Sequence, residues 1–76
     1  METLSDVLAG PAEDRRNRSG HLMTEAESRH IMLEMETHTR SKAARKRIAE
    51  LNARNFTGGQ SPEAVALWKR YLKALA

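Results

Sequence analysis

The carboxy-terminal stretch SPEAVALWKRYLKALA, residues 61–76, constrains the fold of this chain more than any other part of it. Ser61, Pro62 and Glu63 favour a helix start, because they supply an N-cap acceptor, a fixed φ and a negative charge at the positive end of the helix dipole. Apolar residues then recur at helical spacing and predict an amphipathic helix over 62–75. The members of this apolar stripe are Val65, Trp68, Leu72 and Leu75, widened by Ala64, Leu67 and Tyr71. Such a helix must bury its apolar face against the rest of the chain or against a partner.

The chain has few means of stabilising a fold other than helix packing. It has 76 residues and no cysteine, and a domain of this size buries only ~60% of the surface that its unfolded chain exposes. The lack of cysteine excludes disulfides, thiolate zinc sites and thiol catalysis. Only 4% of the residues are aromatic and 39% are hydrophobic, so we expect a core of mainly aliphatic side chains between helices.

A second helical segment is predicted over residues 24–55. Thr24 and the glutamate three residues later have the spacing of a capping box, and no proline or glycine interrupts residues 25–55. The apolar pattern nevertheless stops near the middle, in the stretch ETHTRSK. This gap leaves two alternatives. The segment is either one continuous helix or two helices separated by a break near Thr39 or Ser41, since either residue is able to cap a new helix.

The paired glycines at 58–59 predict a reversal of the chain before the last helix. The last helix would then lie antiparallel on the apolar stripe formed by Ala44, Ile48 and Leu51. The predicted fold class is therefore all-α: a helical hairpin with a long or broken helix over 24–55, a Gly-Gly hinge and a helix over 62–75. A three-helix bundle and a dimeric bundle are the alternatives, because a two-helix hairpin buries little apolar surface.

The first twenty residues are predicted to be a flexible arm and linker, and residues 21–76 to be the small helical domain. Residues 12–20, AEDRRNRSG, contain no large apolar side chain, so they cannot offset the entropy cost of their own ordering. Gly10 and Pro11 end any helical turn that precedes them. The apolar residues before that point are either incidental parts of a disordered end or a short motif that docks on a partner: Leu4, Val7 and Leu8.

A methionine-rich apolar cluster lies in the first half of the segment 24–55. Methionine adapts to varied surfaces, and an exposed patch of this kind is typical of a partner or dimer surface. The cluster is alternatively part of the core of a three-helix bundle, or incidental. Together with the amino-terminal three, it supplies the candidate partner-binding residues Leu4, Val7, Leu8, Ile31, Met32 and Met35.

A basic run, RSKAARKRIAELNAR over 40–54, is the second candidate site. On a helix these cations could follow phosphates or place arginines on guanine edges. The same pattern also suits a solvated helix face or docking onto an acidic protein. The candidate nucleic-acid-binding residues are Arg40, Lys42, Arg45, Lys46, Arg47 and Arg54.

Other chemistries find little support in the sequence. His30, Glu34 and His38 are spaced four residues apart, so they cannot all reach one ion, and we expect no metal or other cofactor. Neither a nucleophile–base–acid set nor a glycine-rich phosphate loop is present, so we expect no enzyme activity and no small-molecule substrate. No run of ~18 apolar residues predicts a membrane helix, and the first residues do not resemble a signal peptide. The expected location is cytoplasmic.

The function expected from these patterns is that of a small cytoplasmic regulator or inhibitor that binds another protein by docking its helices. Antitoxins and the modulators that phages or plasmids encode have this size and organisation, which is an analogy of architecture only. A homodimer is a further alternative. A nucleic-acid-binding regulator that uses the basic helix Arg40–Arg54 is the other candidate. The net charge of +3 is compatible with either.

Overall fold

The computed structural model of the chain describes residues 2–16, 20, 22–38, 41–54 and 58–76. Within them the chain forms four helices and no strand, so the all-α prediction is confirmed. The helices are α1, Leu4–Leu8; α2, Glu25–Thr37; α3, Lys42–Ala53; and α4, Pro62–Leu75.

Helix α4 is the centre of the fold, because α1, α2 and α3 all pack against it. Its start agrees with the sequence prediction: the Ser61 hydroxyl accepts a hydrogen bond from the Ala64 N–H at 3.1 Å, and Pro62 occupies the first turn. The fully buried residues of α4 are Ala64, Leu67, Trp68, Tyr71 and Leu75. With neighbours on three sides, α4 buries a wider face than a hairpin partner alone would cover.

The segment after Thr24 is broken into two helices. The capping box that begins α2 is present, with the Thr24 N–H donating to Glu27 Oε1 at 2.9 Å and the Glu27 N–H donating to Thr24 Oγ1 at 3.2 Å. Helix α2 ends at Thr37, and Ser41 then caps α3 by accepting a hydrogen bond from the Ala44 N–H at 3.1 Å. Of the two alternatives, the break near Ser41 is therefore the one that the structure adopts.

Helices α2 and α4 run parallel, and α3 runs antiparallel to both. At one end of the bundle, Met23 and Gln60 form an isolated parallel bridge in which the Ser61 N–H donates to the Met23 carbonyl at 2.9 Å. Further along, Trp68 contacts Ser28 and Tyr71 contacts Glu36. The chain is thus broken between α2 and α3, and both helices pack on α4 in a helical bundle rather than a simple hairpin.

The inner face of α3 differs from the predicted stripe. Ala49 is the fully buried residue of α3, while the predicted Ala44 and Leu51 are only half-buried. Two polar side chains lie beside Ala49 instead: Arg45 Nε is 2.7 Å from Glu36 Oε2, and Asn52 accepts a hydrogen bond from Gln60. Because these polar groups find partners inside the bundle, the buried face of α3 is rotated by about one residue relative to the purely apolar pattern.

The flexible amino-terminal arm is not confirmed by the structure. Thr3 and Asp6 form a capping box that starts α1, with the Thr3 N–H donating to Asp6 Oδ2 at 2.9 Å. Val7 is fully buried in the core, and the Glu13 N–H donates to the Ala26 carbonyl at 3.0 Å. These contacts join the part of the arm that the structure describes to the bundle.

The connection between α3 and α4 includes residues 55–57, which lie outside the described residues. Gly58 has a φ of 67°, a conformation that glycine adopts without a steric penalty. The predicted Gly-Gly hinge stays a prediction, although the antiparallel course of α3 and α4 is the one that it was expected to produce.

Candidate nucleic-acid interface

The candidate partner-binding residues do not form an exposed apolar patch. Val7 and Met32 have no exposed surface, and Met35 is only 4% exposed. For Met32 and Met35 the observed burial agrees with the bundle core that the sequence left open as an alternative, and Val7 lies in the same core. The remaining candidates are half-buried and pack against the same core: Leu4, Leu8 and Ile31.

The basic helix α3 keeps most of its cations at the surface. Lys42, Arg47 and Arg54 are exposed, and Lys46 is half-buried. Arg45 is turned toward the interior, where its side chain is only 18% exposed and lies against Glu36. Arg40 lies outside the described residues. The structure thus brings four of the six predicted cations onto the outer surface of one helix.

The exposed cations of α3 have little nearby negative charge. Arg47 Nη1 is 3.8 Å from Glu50 Oε2, and the Arg47 side chain is 67% exposed, so this surface pair contributes little to stability. Within the part of the chain that the structure describes, no acidic side chain lies within ion-pair distance of Lys42, Lys46 or Arg54. Helix α3 therefore presents an excess of positive charge to solvent.

A polar cluster at the junction of three helices holds α3 in its orientation. The Tyr71 hydroxyl donates to Glu36 Oε2 at 2.7 Å, and the same oxygen is 2.7 Å from Arg45 Nε. Burial raises the pKa of Tyr71, and its hydrogen bond to the Glu36 carboxylate raises it further. The phenol consequently stays protonated and keeps donating. This cluster turns Arg45 inward, and that leaves Lys42, Lys46 and Arg47 to form the outer face.

A cleft of about 380 Å³ lies between α2 and the segment before it. His30 Nε2 is 3.0 Å from Glu34 Oε1 and 3.8 Å from Asp14 Oδ2, and two arginines also line the cleft. In the described residues no group of three histidine, aspartate or glutamate side chains is arranged to hold a metal ion. The cleft carries charges of both signs, so it favours neither an anionic nor a cationic ligand.

Several residues that organise the site were missed from the sequence. Glu36 belongs to the polar gap between the two apolar stretches, yet it joins α2 to both α3 and α4. Arg29 has the sequence surroundings of a surface cation, yet it is buried and contacts the arm. The partners of Glu36 lie 9 and 35 positions away, and two partners of Arg29 are backbone carbonyls 18 and 22 positions away, so no local spacing signals these contacts. The one clue available in the sequence was a charged residue at a position that helical periodicity places on the inner face of a helix.

Comparisons with protein-family models, curated proteins and solved structures gave no significant match. None of the helices in the described ranges has the length and apolarity needed to cross a bilayer. Function must therefore be inferred from the surface of this chain alone.

Proposed function

We propose that this protein is a small nucleic-acid-binding regulator that uses the outer face of α3. The observation that supports the proposal is that Lys42, Lys46 and Arg54 have no acidic partner among the described residues while the inner face of the same helix is anchored in the bundle. A rigid helix with an exposed row of cations is able to follow a phosphate backbone.

The placement of their residues supports the second of the two functions expected from the sequence. Three of the six candidate partner-binding residues are buried in the core. The cations needed for the nucleic-acid alternative remain at the surface, with Arg45 as the exception. The chain has 13 lysines and arginines against 10 acidic residues. This small excess of positive charge attracts phosphate only at a surface where the fold keeps cations apart from acidic side chains.

Neutralising two lysines of α3 is expected to weaken nucleic-acid binding. In the double variant Lys42→Gln/Lys46→Gln, the slope of log K against log salt should fall by roughly two units, because each phosphate contact contributes ~0.9. Fluorescence anisotropy of a labelled DNA duplex, titrated at several salt concentrations, measures this slope.

The matched control is Arg15→Gln/Arg16→Gln, which also removes two positive charges, but from the segment before α2. Its slope should equal that of the wild type, since these arginines lie beside Glu27 and Asp14 rather than on α3. Equal losses in both double variants would indicate a net-charge effect without a defined surface. Wild-type protein that binds neither DNA nor RNA at low salt would rule the function out.

Protein binding is the second candidate, and one observation favours it. Leu33 on α2 is 36% exposed, and Leu4 and Leu8 on α1 keep part of their surface accessible. Helix α1 packs on α2 as well as on α4. These leucines form a small apolar surface through which the chain would bind a protein partner, as a regulator or inhibitor of the antitoxin type, or a second copy of itself.

Replacing Leu33 tests this second candidate. Leu33→Gln should abolish any concentration-dependent dimer seen by sedimentation equilibrium, because it removes the most exposed leucine of that surface without opening the core. Its control is Leu22→Gln, an equally large apolar residue that is 46% exposed just before α2. A wild-type protein that is monomeric at all concentrations would exclude the homodimer.

A further inference from the structure

His30 on α2 lies against the segment that precedes this helix. Its Nε2 is 3.0 Å from Glu34 Oε1 on the same helix and 3.8 Å from Asp14 Oδ2 in the segment. The His30 and Asp14 side chains are 29% and 31% exposed, so the pair is partly shielded from solvent while protons still reach it. One imidazole nitrogen thus lies between two carboxylates, and only one of these belongs to α2.

The cleft around His30 has an excess of one negative charge while the imidazole is neutral. Among the described residues that line it, three carboxylates from α2 and the preceding segment lie with two guanidiniums from that segment. These residues are Asp14, Glu27 and Glu34, and Arg15 and Arg16. A proton on His30 therefore makes the numbers of positive and negative charges equal.

The charge of Asp14 is constant over the range in which a histidine titrates. Hydrogen bonds from the side chain and the backbone of Arg16 lower the pKa of Asp14, and the carboxyl group is therefore ionised well below pH 5. Arginine keeps its charge to above pH ~12. Histidine is the side chain whose charge ordinarily changes between about pH 5 and 8. The contact between His30 and Asp14 thus has one constant charge and one that depends on pH.

The charge of the imidazole determines how strongly His30 attracts Asp14. A neutral ring has at most one hydrogen at Nε2, and Glu34 at 3.0 Å is the nearer acceptor. Asp14 at 3.8 Å is too distant for a hydrogen bond. A protonated ring attracts both carboxylates, because Coulombic attraction also acts at the longer distance. Protonation therefore adds an attraction between α2 and the segment before it.

The other contacts described between this part of the chain and α2 do not change charge in the same range. The Glu13 N–H donates to the Ala26 carbonyl at 3.0 Å, and the guanidinium of Arg29 donates to two carbonyls of the arm. Backbone groups and arginine have the same charge at pH 5 and at pH 8. These contacts keep the arm near α2 at either pH, so a change at His30 acts locally on residues 13–16.

We propose that protonation of His30 strengthens the attachment of residues 13–16 to α2, so that this segment is held more tightly at acidic pH and loosens as the pH rises through ~6.5, the ordinary range of histidine. The attached segment places Asp14 beside the imidazolium, whereas the released segment does not. Attachment and proton uptake therefore favour each other.

The two arginines of the cleft oppose this effect only weakly. Arg16 forms an ion pair with Asp14, and Arg15 Nε lies 3.7 Å from Glu27 Oε2. Each guanidinium thus has a carboxylate of its own, which offsets its repulsion of the imidazolium. The carboxylate of Glu34 is the remaining negative charge, and it lies at 3.0 Å from the ring.

Loosening of the segment would uncover part of α2. Ile31, one of the candidate partner-binding residues, is half-buried and lines the same cleft. Removal of one wall of this cleft exposes more of its side chain, so the apolar surface of α2 becomes larger as the pH rises. This regulation is independent of the proposed nucleic-acid function, because none of the residues that carry it lies on α3.

The amide of Glu13 reports the attachment, because its hydrogen bond to Ala26 joins the segment to α2. Its protection factor against solvent exchange is measured by nuclear magnetic resonance at pH 5.5 and pH 7.5, relative to the amide of Trp68 in the core of α4. In the wild type we expect protection to be on the order of two- to fivefold higher at pH 5.5, the range of a partly exposed ion pair. Equal protection at both values, or higher protection at pH 7.5, would overturn the proposal.

Three variants identify the group that is responsible. His30→Gln should show the same protection of Glu13 at both pH values. His38→Gln is the matched control, an exposed histidine at the end of the same helix, and it should behave like the wild type. Glu34→Gln removes the carboxylate on α2 and leaves Asp14, so it should also keep the pH dependence. A pH dependence that survives in His30→Gln, or that disappears in His38→Gln or Glu34→Gln, would contradict the proposed contact.

A double-mutant cycle tests the same contact without relying on amide exchange. The equilibrium constant for unfolding in urea is measured for the wild type, Asp14→Asn, His30→Gln and the double variant, at both pH values. At pH 5.5 the effects of the two substitutions should deviate from additivity by roughly two- to fivefold, and at pH 7.5 they should be additive. Because Arg16 is present in all four proteins, the loss of its bond to Asp14 cancels in the cycle. Coupling of equal size at both pH values would show that the proton on His30 has no part in the attachment.

Discussion

Replacing Trp68 with alanine is expected to destabilise the fold by about 3–5 kcal/mol, the usual cost of removing a buried aromatic side chain. Trp68 has no exposed surface and lies where α2 packs on α4, and its indole Nε1 donates to the Ser28 hydroxyl at 2.9 Å. Alanine would leave a cavity and also leave Ser28 without this donor. A chain of 76 residues has a total stability on the order of 4–11 kcal/mol, so a large fraction of the variant should be unfolded.

Urea denaturation followed by far-ultraviolet circular dichroism measures this loss, because the variant has no tryptophan fluorescence. Leu33→Ala is the control: it truncates a large apolar residue that is 36% exposed, and its urea midpoint should move little. If Trp68→Ala keeps the wild-type midpoint, the indole is not part of the core and α4 is held by other contacts. If it also loses nucleic-acid binding while folded, α4 binds directly through its apolar face.

Replacing Arg29 with glutamine is expected to cost about 3 kcal/mol, because a buried guanidinium joins α1 to α2 and its loss leaves buried acceptors without donors. Its Nε donates to the Val7 carbonyl and its Nη1 to the Pro11 carbonyl, each at 3.1 Å, while Nη2 binds Glu25. The Val7 carbonyl lies in the last turn of α1, where a helix supplies no donor of its own. Gly10 lets the chain pass this close: a Cβ there would lie 2.8 Å from Arg29 Cζ.

Two measurements distinguish release of the arm from general destabilisation. In Arg29→Gln, the urea midpoint should fall, and the Glu13 amide, which donates to the Ala26 carbonyl, should exchange with solvent faster than amides of α4. The control is Arg16→Gln, whose side chain is 86% exposed beside Asp14 and whose loss should change stability by less than ~0.5 kcal/mol. Unchanged protection of Glu13 in Arg29→Gln would mean that burial of Val7 alone holds the arm.

Local signals in the sequence identified most of the helix boundaries. Ser61 and Thr24 act as the caps that their neighbours suggest, because an N-cap depends on residues only three positions apart. Ser41 was one of two positions considered for a break, and it caps α3. The apolar stripe of α4 was also correct, since a helix with so many large apolar residues has one face that it can bury.

Less could be predicted for residues whose partners are distant in sequence. The arm was predicted to be flexible because residues 12–20 have no apolar side chain; this prediction is not confirmed, since Val7 lies in the core and Arg29 donates from α2 to the Val7 carbonyl. For the methionines the sequence left a partner surface and a bundle core open, and Met32 lies in the core.

In the candidate site, too, local features could be predicted from the sequence and contacts between distant residues could not. From the sequence it was possible to identify α3 as a basic helix, since the density of lysine and arginine is a local property. It was not possible to know that Arg45 turns inward to Glu36. This contact depends on how α2, α3 and α4 pack together, because its partner lies on another helix.

The sequence by itself determined where helices begin, which of them is most apolar and that no disulfide supports them. Capping, periodicity and composition are properties of neighbouring residues and persist in any fold. Only the tertiary structure decided which cations stay at the surface, whether the arm joins the core and which face of α3 is buried. Those choices follow from the packing of α1, α2 and α3 around one helix, where buried polar side chains such as Ser28 and Arg29 find partners in another part of the chain.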